Sequence, residues 1–99
     1  GENIYPREIE EFLFSHPEVL DVQVFGIPND RLGEEVCAWI IPVPNSNLTN
    51  DALNTFCVGK ISHFKIPKYF RMVKTIPMTI TGKPQKYVMR DEMVKYLST

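Results

Sequence analysis

Pro77-Met78-Thr79-Ile80-Thr81-Gly82-Lys83-Pro84-Gln85-Lys86 is the stretch of this chain whose residue types and spacing can do chemistry. Pro77 fixes its own φ and ends whatever strand precedes it. Gly82 accepts a positive φ and lets the backbone come close to a ligand. Lys83 then stands at the tip of a tight turn as a compact, mobile cation with three donors, flanked by the hydroxyls of Thr79 and Thr81. Such a device reaches a phosphate or a carboxylate from outside a site. The same residues also suit an ordinary surface turn, because Gly-Lys is common in loops, so local chemistry alone leaves both readings open.

The charge distribution bears on what that lysine meets. The chain has 99 residues and a net charge of −1, but the charge is split. Residues 1–51 carry ten acids and only two bases, Arg7 and Arg31, whereas residues 52–99 carry nine bases and two acids, Asp91 and Glu92. The second half therefore suits an anionic ligand and the first half does not. Two cysteines, Cys37 and Cys57, are too few for a disulfide framework and have no metal-ligand spacing. They read as small core residues, and no metal site is expected. No secretory leader or membrane-spanning run is read in these residues, and any targeting signal is expected to lie outside them. The start on Gly-Glu-Asn, with no element before it, reads as a piece of a longer protein.

The elements that must position the lysine follow from periodicity and punctuation. Pro6 opens a helix with Glu8, Glu10 and Glu11 near its positive end, and Ile9, Phe12 and Leu13 share a face. His16-Pro17 ends it. A strand is expected over residues 19–27, with Leu20, Val22 and Val24 facing inward. After the turn cluster from Pro28 to Gly33 comes a second strand over 34–43, apolar on both faces and therefore central. A short connection makes these two strands antiparallel. Thr49 is the expected N-cap of a helix carrying Leu53, Phe56 and Cys57, and Gly59 ends it. Residues 60–67 are irregular and basic, a third strand covers 69–73, and a last helix starts near Gln85 with Met89, Met93, Tyr96 and Leu97 along one stripe. The order α-β-β-α-β-α predicts an α+β fold, a small antiparallel three-stranded sheet with helices packed on it, in one domain spanning 1–99.

Four segments, in order, carry a resemblance. Gly1-Glu2-Asn3-Ile4-Tyr5-Pro6-Arg7-Glu8, Asn29-Asp30-Arg31-Leu32-Gly33-Glu34, Ser62-His63-Phe64-Lys65-Ile66-Pro67-Lys68-Tyr69 and the lysine loop together resemble the C-terminal domain of the AMP-forming acyl-CoA synthetases, most closely the mitochondrial medium-chain type. This adenylating superfamily also includes luciferases and peptide-synthetase adenylation domains. The resemblance implies a mobile lid that works with a separate N-terminal ATP- and acyl-binding domain. It implies two steps: a carboxylic acid, of fatty-acid type, is activated with ATP and Mg2+ to acyl-AMP plus pyrophosphate, and the acyl group then passes to coenzyme A. Lys83 matches the lysine that serves the α-phosphate and carboxylate in the first step. Gly1, Glu2 and Asn3 match the segment lining the thiol path in the second. Arg31, Lys60, Lys65 and Lys68 become the candidates for coenzyme A phosphates. The sequence leaves the compartment open beyond intracellular, the resemblance being compatible with a mitochondrial one, and the resemblance implies that the isolated chain has no ligase activity. Pro84 departs from the family pattern, in which an aliphatic residue is expected, and biases Lys83 toward extended backbone.

Two readings of other classes compete. Lys60 to Lys74 interleaves cations with His63, Phe64, Tyr69 and Phe70, as a standalone RNA-binding module does, although without an RNP-like pattern. Alternatively, the acidic first half docks a basic protein partner. For Arg31, an ion pair with Glu34 or Glu35 competes with a role toward phosphate, and for Lys60 and Lys68 a solvated surface charge does.

Overall fold

A computed structural model describes residues 4–31 and 33–98. The chain folds as helix α1 (Pro6–Phe14), strands β1 (Val19–Asn29) and β2 (Gly33–Pro42), helix α2 (Asn50–Cys57), a 3-10 turn (His63–Lys65), strand β3 (Tyr69–Met72) and helix α3 (Lys86–Ser98). The order is the one the sequence predicts.

The sheet order is β1-β2-β3, which makes β2 central. Its alternation divides cleanly. Val36, Ala38 and Ile40 join the core beneath α1 and α2, with Ile9, Leu13, Val22, Val24, Leu53, Cys57 and Phe70. Cys37 and Trp39 join a second core beneath α3, with Phe25, Ile27, Met89 and Met93. A strand apolar on both faces requires cover on both, so helices sit on either side of the sheet. On the α3 face Trp39 meets Phe25 edge-on, with centroids 5.8 Å apart, and its Nε1–H donates to Met93 Sδ at 3.4 Å. Arg71 on β3 stacks over Trp39 at 4.9 Å and over Tyr96 at 4.1 Å. Tyr96 therefore packs through its ring face at the end of α3 although it is half exposed, and Leu97 is also exposed. The expected core stripe narrows to Met89 and Met93.

Two expectations need correction in detail. β1 and β2 pair antiparallel, but β3 runs parallel to β2, with Cys37 facing Tyr69 and Ile40 facing Met72. The cause is the connection. A short turn can only return a strand antiparallel, whereas the long segment through α2 carries the chain back to its starting end and permits parallel pairing. The second correction concerns Leu20, expected inward but 53% exposed. Val19 faces Pro42 and Asp21 faces Ile41, so Leu20 is the extra residue of a β-bulge, and Val19 takes the buried position. A one-residue insertion reverses which side each residue faces.

The local signals act as expected elsewhere. Thr49 Oγ1 accepts the Ala52 N–H at 3.1 Å and caps α2, and Gly59 takes φ +82° just after it. His16, at the end of α1, accepts the Glu18 N–H on Nδ1 at 3.0 Å and sets its ring against Phe56.

The bulge gives a direct test. Leu20→Ala is expected to change unfolding free energy by no more than about 0.5 kcal/mol, as for a surface site. Leu53→Ala, which empties a fully buried position, is expected to cost about 3 kcal/mol. Chemical denaturation of the two variants checks this. Equal losses would mean that Leu20 is a core residue.

Candidate functional site

The stretch after β3 is a hairpin whose every turn is hydrogen-bonded. Ile76 packs partly buried against the α3-side core and anchors its entry. Met78 and Pro84 face each other as an antiparallel bridge. Thr79 N–H donates to Lys83 O at 2.8 Å, Gly82 N–H to Thr79 O at 3.0 Å, and Gln85 N–H to Pro77 O at 2.9 Å. The four-residue turn 79–82 ends in Gly82 at φ +87°, the left-handed position that closes a three-residue hairpin loop. A side chain at residue 82 would meet no neighbour, so only the backbone angle requires glycine there.

This geometry refines the reading of the loop. Thr79 Oγ1 accepts the Lys83 N–H at 3.0 Å and lies 3.1 Å from Thr81 Oγ1, so the Thr79 hydroxyl shapes the turn. The apex is Ile80 and Thr81, with Ile80 fully exposed. Lys83 is the first residue on the return limb and is exposed. Its ammonium is solvent-exposed, and among the described residues no carboxylate lies within ion-pair distance. A hydrogen-bonded backbone and an exposed cation on a flexible four-carbon stem together suit delivery of charge to an external anion.

The other sequence-predicted residues do not gather around it. Gly1, Glu2 and Asn3 lie outside the described residues. Arg31 is exposed in the β1–β2 turn, where its N–H donates to Asn29 Oδ1 at 2.9 Å. Neither acid proposed as its ion-pair partner takes that part: Glu34 meets Arg90 at 3.5 Å and Glu35 meets Lys68 at 3.4 Å. Lys68 stands at the same end of the sheet as Arg31, since its N–H donates to Val36 O, and its side chain stays largely exposed. Lys60 is exposed, with its ammonium 4.8 Å from the Phe56 ring centroid. Lys65 is engaged: its Nζ donates to both carboxylate oxygens of Glu8, at 3.0 and 2.9 Å, beside the Tyr5 ring.

Sequence reasoning passed over Lys86, whose Nζ lies 2.8 Å from Glu10 Oε2. It is the first residue of α3, a helix with no acid in its first turn. A cation at the positive end of a helix dipole was the available signal. With it, every ion pair among the described residues joins an acid of residues 1–51 to a base of residues 52–99.

The profile of the AMP-binding enzyme C-terminal domain matches residues 8–83. The chain belongs to that family. It is 50% identical over 98 residues to the mitochondrial medium-chain acyl-CoA ligase ACSF2 of Homo sapiens, covering 99% of this chain and 16% of the relative. It is 50% identical over 95 residues to the putative acyl-CoA synthetase YngI of Bacillus subtilis, covering 96% and 17%. Its fold superposes on ATP-bound MatB from Rhodopseudomonas palustris with a TM-score of 0.88 at 30% identity, over 93% of this chain and 18% of that one. The chain thus spans about a sixth of the length of the relatives it matches.

The thiols are outside this chemistry. Burial pushes Cys37 up to about 12, with the nearby Arg71 charge pulling slightly back, and pushes Cys57 up to about 11. Both stay protonated at neutral pH, and the thiolate is the reactive form. The folded chain is therefore expected to resist iodoacetamide at pH 8 and to take up two equivalents in denaturant. Rapid labelling of either cysteine in the folded state, read by mass spectrometry, would contradict the burial.

Proposed function

We propose that this chain is the mobile lid of an AMP-forming acyl-CoA synthetase and that Lys83 is its adenylation residue. The observation that carries the reading is a hydrogen-bonded hairpin whose exposed lysine meets no carboxylate among the described residues, in a domain of this family. The N-terminal domain of the same enzyme supplies the ATP and acyl pockets and the Mg2+ site. Among the described residues no group of three His, Cys, Asp or Glu side chains is placed to hold a metal.

In the first step the carboxylate of the acid attacks the α-phosphorus of ATP, and pyrophosphate leaves with the bridging oxygen. Negative charge builds on the α-phosphoryl oxygens as that bond forms. Lys83 offsets it and orients the carboxylate, and does so more strongly in a closed, water-poor site than in bulk water. The lid then turns about its connection to the larger domain, as such lids do. This withdraws Lys83 and brings Gly1, Glu2 and Asn3 to the acyl-adenylate. The small Gly1 leaves room for the thiol of coenzyme A, whose attack on the acyl carbon releases AMP. Arg31, Lys60 and Lys68 meet the phosphates of coenzyme A, Arg31 with a forked donor set. Lys68 does so by giving up its longer contact with Glu35, and Lys65 joins them only by exchanging Glu8 for phosphate. A medium-chain fatty acid as substrate and a mitochondrial compartment extend the reading, on the strength of the relatives' names.

Nothing supports the RNA-binding alternative. Of the aromatics it invokes, Phe70 is buried in the core while Phe64 and His63 are exposed, and Lys65 beside them is held by Glu8.

Lys83→Ala in the full-length enzyme is expected to lower pyrophosphate release from acid plus ATP by about 100-fold or more, the scale of losing one charge-stabilising donor. Thioester formation from supplied acyl-adenylate and coenzyme A should stay within a few-fold of wild type. Survival of both half-reactions would show that Gly82-Lys83 is a surface turn.

A further inference from the structure

The lysine hairpin is stiff within itself, so its aim depends on what holds its root. The entry is held by Ile76 against the core. The exit is residue 86, the first of α3, two residues past Pro84, which removes one backbone rotation. Lys86 reaches Glu10 Oε2 at 2.8 Å, and that same oxygen accepts the Val24 N–H at 2.8 Å. The two side chains are only 37% and 23% exposed, and they join positions 76 residues apart. Val24 lies on β1, an edge strand. Glu10, on the helix covering one face of the sheet, thus accepts from a backbone N–H at the edge. Lys86 comes to that edge from the helix covering the other face.

Nothing in α3 itself favours a lysine at this position. A cation at a helix N-terminus opposes the dipole, and the helix supplies no acid in its first turn. The Glu10 carboxylate provides the missing negative charge from another element. Its bonds to Lys86 and Val24 are charge-assisted and short.

We propose that the Glu10–Lys86 pair is a positioning clamp that sets the direction in which the hairpin presents Lys83. This rests on the reading of Lys83 as the adenylation residue. The clamp touches neither substrate and acts through Lys83, so it concerns the first half-reaction only. Thioester formation, which uses the lid in its other orientation, does not need it. Glu10→Gln separates the two duties of the carboxylate, because the amide oxygen still accepts from Val24 while the charge for Lys86 is gone.

The test uses the full-length enzyme with Glu10→Gln, Lys86→Ala, Lys86→Arg, the Glu10→Gln/Lys86→Ala double variant and, in parallel, Lys83→Ala. Glu10→Gln and Lys86→Ala are each expected to lower the kcat of pyrophosphate release about tenfold, with KM for ATP and the thioesterification rate within about twofold. Lys86→Arg should restore most of the loss. The double variant should be no worse than either single one, because both break the same contact. Equal falls in both half-reactions, tracking a fall in melting temperature, would make the pair merely structural and overturn the clamp. So would unchanged pyrophosphate release in Glu10→Gln and Lys86→Ala while Lys83→Ala abolishes it, which leaves the reading of Lys83 standing. If Lys83→Ala leaves pyrophosphate release intact, that reading fails and the clamp falls with it.

Discussion

The burial of β2 on both faces is the constraint from which the rest of this domain follows. A strand with Val36, Ala38 and Ile40 on one side and Cys37 and Trp39 on the other cannot be left half-covered. It needs partners in the sheet and helices above and below it. β1 returns beside it through a short turn, and the route through α2 brings β3 in parallel on the other side. Only then is the chain placed to cross to the opposite face and end in α3. The lysine hairpin occupies that crossing between β3 and α3. Its position is a consequence of how the core closes, and its shape is a consequence of its own turn residues.

Charge joins the two layers. Each ion pair among the described residues connects the acidic first half of the chain to the basic second half. Read along the sequence, the second half is a surface for anions. Folded, a large part of that basicity is met by the first half, and what remains unengaged is more selective. Among the described residues Lys83 stands clear of any carboxylate, while Lys65 and Lys86 are tied to α1. Each pair keeps one partner at least 37% exposed, so water screens it and its contribution to global stability is small. Their effect here is on direction, because they decide which cations are committed and which are free to meet a ligand.

The parts of the structure legible in the sequence are those governed by neighbours in the chain. Gly82 and the flanking prolines announce the hairpin, Thr49 announces the start of α2, and the two-sided apolar run of residues 36–41 announces a central strand. The parts that were not legible depend on distant partners or on a single inserted residue. The bulge at Leu20 moves that side chain outward without any mark in composition. The parallel direction of β3 is decided by the path of a long connection. Lys65 and Lys68 look alike in sequence, yet one is chelated by Glu8 and the other stays mostly in solvent. Lys86 acquires its meaning from an acid 76 residues away.

The central claim is that this domain carries Lys83 into a nucleotide site built by a larger partner domain. The most direct measurement is the rate at which an amine-acylating reagent modifies each lysine of the full-length enzyme, read by mass spectrometry. It is taken with and without the α,β-methylene analogue of ATP plus a medium-chain fatty acid, a mixture that cannot release pyrophosphate. The account predicts that Lys83, exposed in the lid alone, becomes several-fold protected by the mixture, while the exposed Lys74 and Lys95 keep their rates. Modification of Lys83 at the same rate in both conditions would contradict it.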